Sequence, residues 1–282
     1  MKAHHNMIQP VPQSERPGEL APLLDWANPR RVVLNNGLTL LIGTLPHLCT
    51  ASMGLYVRVG SRYERSGEYG LSHLVEHLLF RGCEGAPTSR ALNEAIESLT
   101  PGLDASTGRE FTALEALCAP EDLHSLLALV GKMVSAPHLA DVDAEREIIL
   151  QEIADEVDPD GRDVDVDNVA KAALFPGDGL GRKIGGDPRS LRRLRREDCL
   201  RWLESHYAAE NMVLVVVHPD AQAPVADWAE AAFEAVQPGA GKVDRPPVEV
   251  RDDLPAFEYV QDTTRVQVAV QCAWVLPAED AE

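Results

Sequence analysis

Residues 70–82 read GLSHLVEHLLFRG. Leu71, Leu74, Val75, Leu78 and Leu79 recur at helical spacing, which predicts a helix over LSHLVEHLLF, started by Ser72 or a neighbouring loop residue and stopped at Gly82. A helix this apolar has to be buried. It nevertheless carries His73, Glu76 and His77, and three ionisable groups in a buried helix are costly without a partner of opposite charge. The rest of the chain must therefore bring something to them.

A helical residue turns about 100°, so His73 and His77 lie about 40° apart on one face and their imidazoles can reach one ion together. Glu76 lies about 60° to the other side of His73, near such an ion without having to bind it. The spacing is HxxEH, the reverse of the familiar HExxH order. Two neutral imidazoles and an oxygen ligand suit Zn²⁺ with one position left open. The bland alternative is a pair of solvent-facing histidines beside a surface carboxylate, and the leucines argue against it. The third ligand has to come from elsewhere. The predicted acidic helix at about 141–157, DVDAEREIILQEIADEV, offers Asp143, Glu145, Glu147, Glu152, Asp155 and Glu156. Glu145 and Glu152 share a face beside Ile148, Ile149 and Ile153, and spacing does not choose between them.

Around this pair the elements are mixed. RRVVLNNGLTLLIG predicts two strands about an Asn35-Asn36-Gly37 turn, and TASMGLYVRVGS (50–61) a third. TSRALNEAIESL predicts a helix capped by Thr88; GLDAST and EFTALEALC predict two strands close enough to pair. PEDLHSLLALVGKMVSAP opens with a good helix start. REDCLRWLESHYA and PVADWAEAAFEAV are helical and NMVLVVVHPD is of strand length, while 159–195 is left unassigned, with loops around FPGDGLGRKIGGDP. The expected fold is α+β, a mixed, mostly antiparallel sheet packed with helices. The expected organisation is a flexible arm over 1–29, a zinc-binding domain over 30–236, a linker over 237–255 and a strand-like start of a second domain over 256–282. GDGLGRKIGG lacks the spacing of a phosphate-binding loop, and RSLRRLRRED reads as a solvated turn and helix start.

Charge narrows the partners. Acidic residues outnumber basic ones by 45 to 26 over 282 residues, a formal net charge of −19, which opposes nucleic acid and anionic membranes. Five scattered cysteines without a CxxC pair read as free thiols. The N-terminal stretch has no apolar signal core, and no apolar run reaches the roughly 18 residues of a membrane span. A cytoplasmic protein is expected.

The residues also resemble a known family, the pitrilysin/insulinase metallopeptidases, or inverzincins, which include processing-peptidase-type subunits. GLYVRVGSRYERSGEYGLSHLVEHLLFRGCEGAPT is similar to that family's strand, Gly-Ser turn, loop and zinc helix. LDASTGREFTALEAL resembles its following strand pair, EREIILQEI its third-ligand helix, and HYAAENMVLVVVHPD the strand closing its first domain. The resemblance covers about residues 30–220. It implies zinc ligands at His73, His77 and Glu145, a catalytic base at Glu76, and Glu152 as a residue that orients a ligand. It further implies that an extended peptide or unfolded polypeptide pairs with a strand edge at Asp104, Ala105, Ser106 and Thr107. Asp104 departs from the asparagine common in the family, a change expected to favour basic substrates. The implied function is a zinc endopeptidase that needs a second homologous domain or partner subunit, in a homo- or hetero-oligomer. The alternative is a non-catalytic assembly or binding subunit of the same fold.

Overall fold

The computed structural model describes residues 29–239 and 270–273. All but the last residue of the expected arm, most of the linker and most of the second-domain start lie outside the described residues. Val270–Ala273, inside the expected tail strand, are not in a strand; there Gln271 Nε2 donates to Asp167 Oδ1 at 3.2 Å.

The first hairpin forms as its turn signal predicts. Strands β1 (Arg30–Val33) and β2 (Thr39–Thr44) pair antiparallel across Asn35–Gly37, where Gly37 takes a φ of 95°. The other strands are β3 (Ala51–Val57), β4 (Leu103–Thr107), β5 (Thr112–Cys118) and β6 (Met212–His218). They make one six-stranded sheet in the order β1-β2-β6-β3-β5-β4. Every neighbouring pair is antiparallel except β2 and β6, which run parallel. The mixed, mostly antiparallel sheet expected from the sequence is therefore present. Alternation sets its buried face: Leu40, Ile42, Met53, Leu55, Val57, Leu114, Ala116, Leu214 and Val216 all belong to the core.

The helices are α1 (Leu71–Leu79), α2 (Ser89–Glu97), α3 (Leu123–Ser135), α4 (Val142–Asp155), α5 (Val166–Leu174), α6 (Pro188–Leu191), α7 (Arg196–His206) and α8 (Val225–Phe233). Thr88 caps α2 as expected, its Oγ1 accepting from the Ala91 amide at 3.2 Å. Helices α5 and α6 fall in the stretch 159–195 that the sequence leaves unassigned. They are short, and each begins on an aspartate cap, Asp165 and Asp187, whose carboxylate accepts from amides of the first turn. The five arginines of RSLRRLRRED stay exposed, as a solvated turn and helix start should.

The start of α1 differs from the expectation. Gly70, at φ 95°, precedes the helix with no side-chain cap of its own, and the buried Ser72 hydroxyl does not cap it either. The capping acceptor is the buried Glu64, whose Oε2 accepts from Gly70 N and Oε1 from Ser72 N, both at 2.9 Å. Burial pushes its carboxyl up to about 7 against the pull of those amides and of Arg182. The Gly-rich segment also finds a structural task here. Gly186, at φ 78°, lies so close to Tyr69 and Gly70 that no side chain fits between the two backbones.

Helices α3 and α8 approach even more tightly, because a Cβ at Gly131 would run into the Ala232 carbonyl. Gly131→Ala is therefore expected to destabilise the domain by roughly 1–3 kcal/mol despite alanine's better helix propensity. A chemical-denaturation midpoint equal to or above the wild-type value would contradict this. No helix of the described residues is long and apolar enough to cross a membrane.

Candidate metal centre

His73 and His77 leave the same face of α1, one turn apart, and their Nε2 atoms stand 3.2 Å from each other. The rings meet edge to face, centroids 4.6 Å apart. His73, Glu76 and His77 each place a donor atom within 4.8 Å of the other two. Burial, and then the neighbouring His77, hold the His73 imidazole down to about 4, so it is neutral near pH 7 with a lone pair available.

The acidic helix α4 supplies both carboxylates that the sequence left in competition. Glu152 brings its carboxylate to the converging nitrogens, Oε2 at 3.9 Å from His73 Nε2 and Oε1 at 4.0 Å from His77 Nε2. Glu145 sits on the other edge of the His77 ring, where Oε2 lies 3.0 Å from Nδ1. In space, then, Glu152 is the acid beside the facing nitrogens and Glu145 the one behind His77, the other way round from what the family resemblance implies. Two imidazoles share an ion only through the nitrogens that face each other, and Glu145 does not approach that edge. It is placed to orient His77, while Glu152 stands where a third ligand would. The sequence showed that both acids share a face of α4, but not which turn meets Nε2.

Their surroundings differ accordingly. Glu145 is 2% exposed, and its Oε1 is met by the Arg81 guanidinium. The Glu152 side chain is 46% exposed, and among the described residues its ion-pair contacts are His73 and His77. Glu76 is buried, and one of its oxygens accepts from the Thr107 hydroxyl. Burial raises the Glu76 carboxyl, and the nearby Glu152 adds to that; the Thr107 hydrogen bond and His77 oppose it.

The donor set fits zinc. Bonds of about 2.0–2.1 Å at tetrahedral angles put neighbouring ligand atoms about 3.3 Å apart, close to the 3.2 Å between the two Nε2 atoms. With His77 Nδ1–H given to Glu145, the Nε2 lone pair is left facing His73, as in imidazoles that ligate metals.

Thr107 also links the centre to the sheet. It ends β4, which pairs with β5 on one side and is the last strand in the sheet order. Asp104 and Ser106 are exposed along it, and Ala105 and Thr107 are half-buried on the alternate face. All four residues expected to meet a peptide thus lie on one edge strand that reaches Glu76. Two residues that support the centre or its helix are not named from the sequence. Arg81 had a legible signal, four residues after His77 and so on the same helical face; Glu64 had none, because its link to α1 runs through a loop.

Comparison with known proteins agrees with this architecture. The family profile described as Insulinase (Peptidase family M16) matches residues 44–187. The beta subunit of the mitochondrial-processing peptidase of Blastocladiella emersonii is 32% identical over 211 residues, 74% of this chain and 45% of that protein. An uncharacterized zinc protease of Rickettsia bellii is 30% identical over 209 residues, 73% of this chain and 50% of that one. The chain thus spans about half the length of these relatives. A crystal structure of a peptidase M16 inactive domain from Pseudomonas fluorescens superposes with a TM-score of 0.70 at 16% identity, over 79% of this chain and 54% of that one. With its HxxEH helix, edge strand and acidic helix in one sheet-and-helix unit, this chain belongs to the insulinase family of peptidases.

Proposed function

We propose that the chain is the zinc-bearing half of an endopeptidase that cleaves extended peptides. In this reading His73, His77 and Glu152 hold the metal, Glu145 orients His77, and Glu76 is the catalytic base. The observation that carries it is the convergence of the two Nε2 atoms with the Glu152 carboxylate beside them. Zinc bound there supplies a Lewis acid for the scissile carbonyl and a water activated near pH 7.

The chain's own residues do the rest. An extended substrate adds to the free edge of β4, its backbone pairing with main-chain groups from Asp104 to Thr107. Because that pairing reads backbone, sequence demands are loose, and the charge of −19 favours basic segments. Glu76 takes a proton from the attacking water and delivers it to the leaving amine. Thr107 holds one Glu76 oxygen, leaving the other for that transfer. A second homologous half, on a partner subunit or on further chain, closes over the bound peptide. The relatives' greater length and their processing-peptidase and zinc-protease names support that pairing.

A second reading, a non-catalytic subunit, is favoured by the likeness to a domain described as inactive. One experiment separates the two. Protein purified without chelator should carry one zinc per chain and cleave an unstructured, lysine-rich fluorogenic peptide once a complementary half is supplied. Zinc-free protein, or stoichiometric zinc with no cleavage by the completed pair, would favour the non-catalytic reading.

A further inference from the structure

Glu145 is a nearly fully buried carboxylate with two oxygens to satisfy. Oε2 is taken by His77 Nδ1 at 3.0 Å. Oε1 has no hydrogen-bond partner, and the ion pair to Arg81 is its one charged contact among the described residues. Arg81 follows His77 by four residues, just past the end of α1, so its guanidinium lies beside the imidazole and reaches across to the first turn of α4. Its Nη1 is also 3.4 Å from the hydroxyl of Ser89, the first residue of α2. A chain of contacts therefore runs from α2 through Arg81 and Glu145 to His77.

We infer that Arg81 is a positioning residue, which clamps the Glu145 carboxylate in the orientation that keeps the His77 proton on Nδ1 and its Nε2 lone pair toward the ion. The inference rests on the metal site proposed above, and it adds a residue that the ligand motif does not contain. The physical reason is that a carboxylate bonded through one oxygen only is free to pivot about that bond. A guanidinium, with several donors in a rigid plane, grips the second oxygen and can hold Ser89 as well. Lysine keeps the charge but offers one compact ammonium, which cannot reproduce both contacts.

The test uses the full chain with the variants Arg81→Met, Arg81→Lys and Ser89→Ala. Two quantities are read: zinc affinity by competition with a chromogenic chelator, and the ¹⁵N–¹H signals of the His77 ring in metal-free protein. Arg81→Met should weaken zinc binding by about 10- to 100-fold, the usual effect of losing a residue behind a ligand. It should also lose the slowly exchanging Nδ1–H signal of His77. Arg81→Lys should recover part of both, and Ser89→Ala should shift both in the same direction by less. Should Arg81→Met fail to fold, the Lys and Ala variants decide the matter. Wild-type zinc affinity with an unchanged His77 signal in the folded variants would overturn the role of Arg81. Absence of zinc from the wild type would instead sink the metal reading, and the ring signal would still report on Arg81.

Discussion

Glu76→Gln is expected to leave one zinc per chain in place and to lower peptide cleavage by the completed peptidase by roughly 10²- to 10⁴-fold, the range for loss of a positioned general base. The substitution is nearly isosteric. The amide oxygen still accepts from the Thr107 hydroxyl, so packing against β4 is kept, and the buried side chain leaves no cavity. What disappears is the capacity to take a proton. Metal content and cleavage rate measured on the same sample give the answer. Cleavage at the wild-type rate with zinc retained would remove Glu76 from the reaction; loss of zinc would make Glu76 a ligand.

The second large effect separates the two acids of α4. Glu152→Ala should remove a ligand and weaken zinc binding beyond the ~10- to 100-fold expected for Glu145→Gln, which only frees the His77 ring. The stability cost should run the other way. Glu152 is half-exposed and its loss is cheap for the fold, whereas Glu145 is buried between His77 and Arg81, and altering it disturbs a desolvated charge pair. Chelator competition and thermal melting of the metal-free proteins read the two quantities separately. If Glu145→Gln lost more zinc affinity than Glu152→Ala, the expectation drawn from family resemblance would be restored and the geometric assignment would fall.

Much of this was legible before any coordinates. Alternation, the Asn35-Asn36-Gly37 turn and the apolar run NMVLVVVHPD point to the strands of the described sheet, and the 3.6 period to most helices, because burial of a face imposes such patterns directly. The HxxEH helix announced itself through the conflict between its leucines and its ionisable groups. Relations between distant segments were not legible. Glu145 and Glu152 differ in where they meet His77 by two helical turns of α4, a packing quantity that no local spacing encodes. Glu64 reaches α1 from a loop, replacing the serine cap that local rules favour. Helices α5 and α6 were missed since each is short and held by an aspartate cap rather than a long apolar stripe.

Among the described residues the outer rim of β4 has no strand beside it, and an unpaired strand edge templates any extended chain, copies of its own included. Asp104 faces Glu115 directly across the β4–β5 pair, so like charges meet at that margin and weaken local pairing a little. The same repulsion discourages a second molecule from docking its own acidic strand there and seeding aggregation. A peptide bearing lysines would meet no such barrier, so on the proposed reading one pair of carboxylates would guard the edge against self-association while leaving it open to a basic substrate.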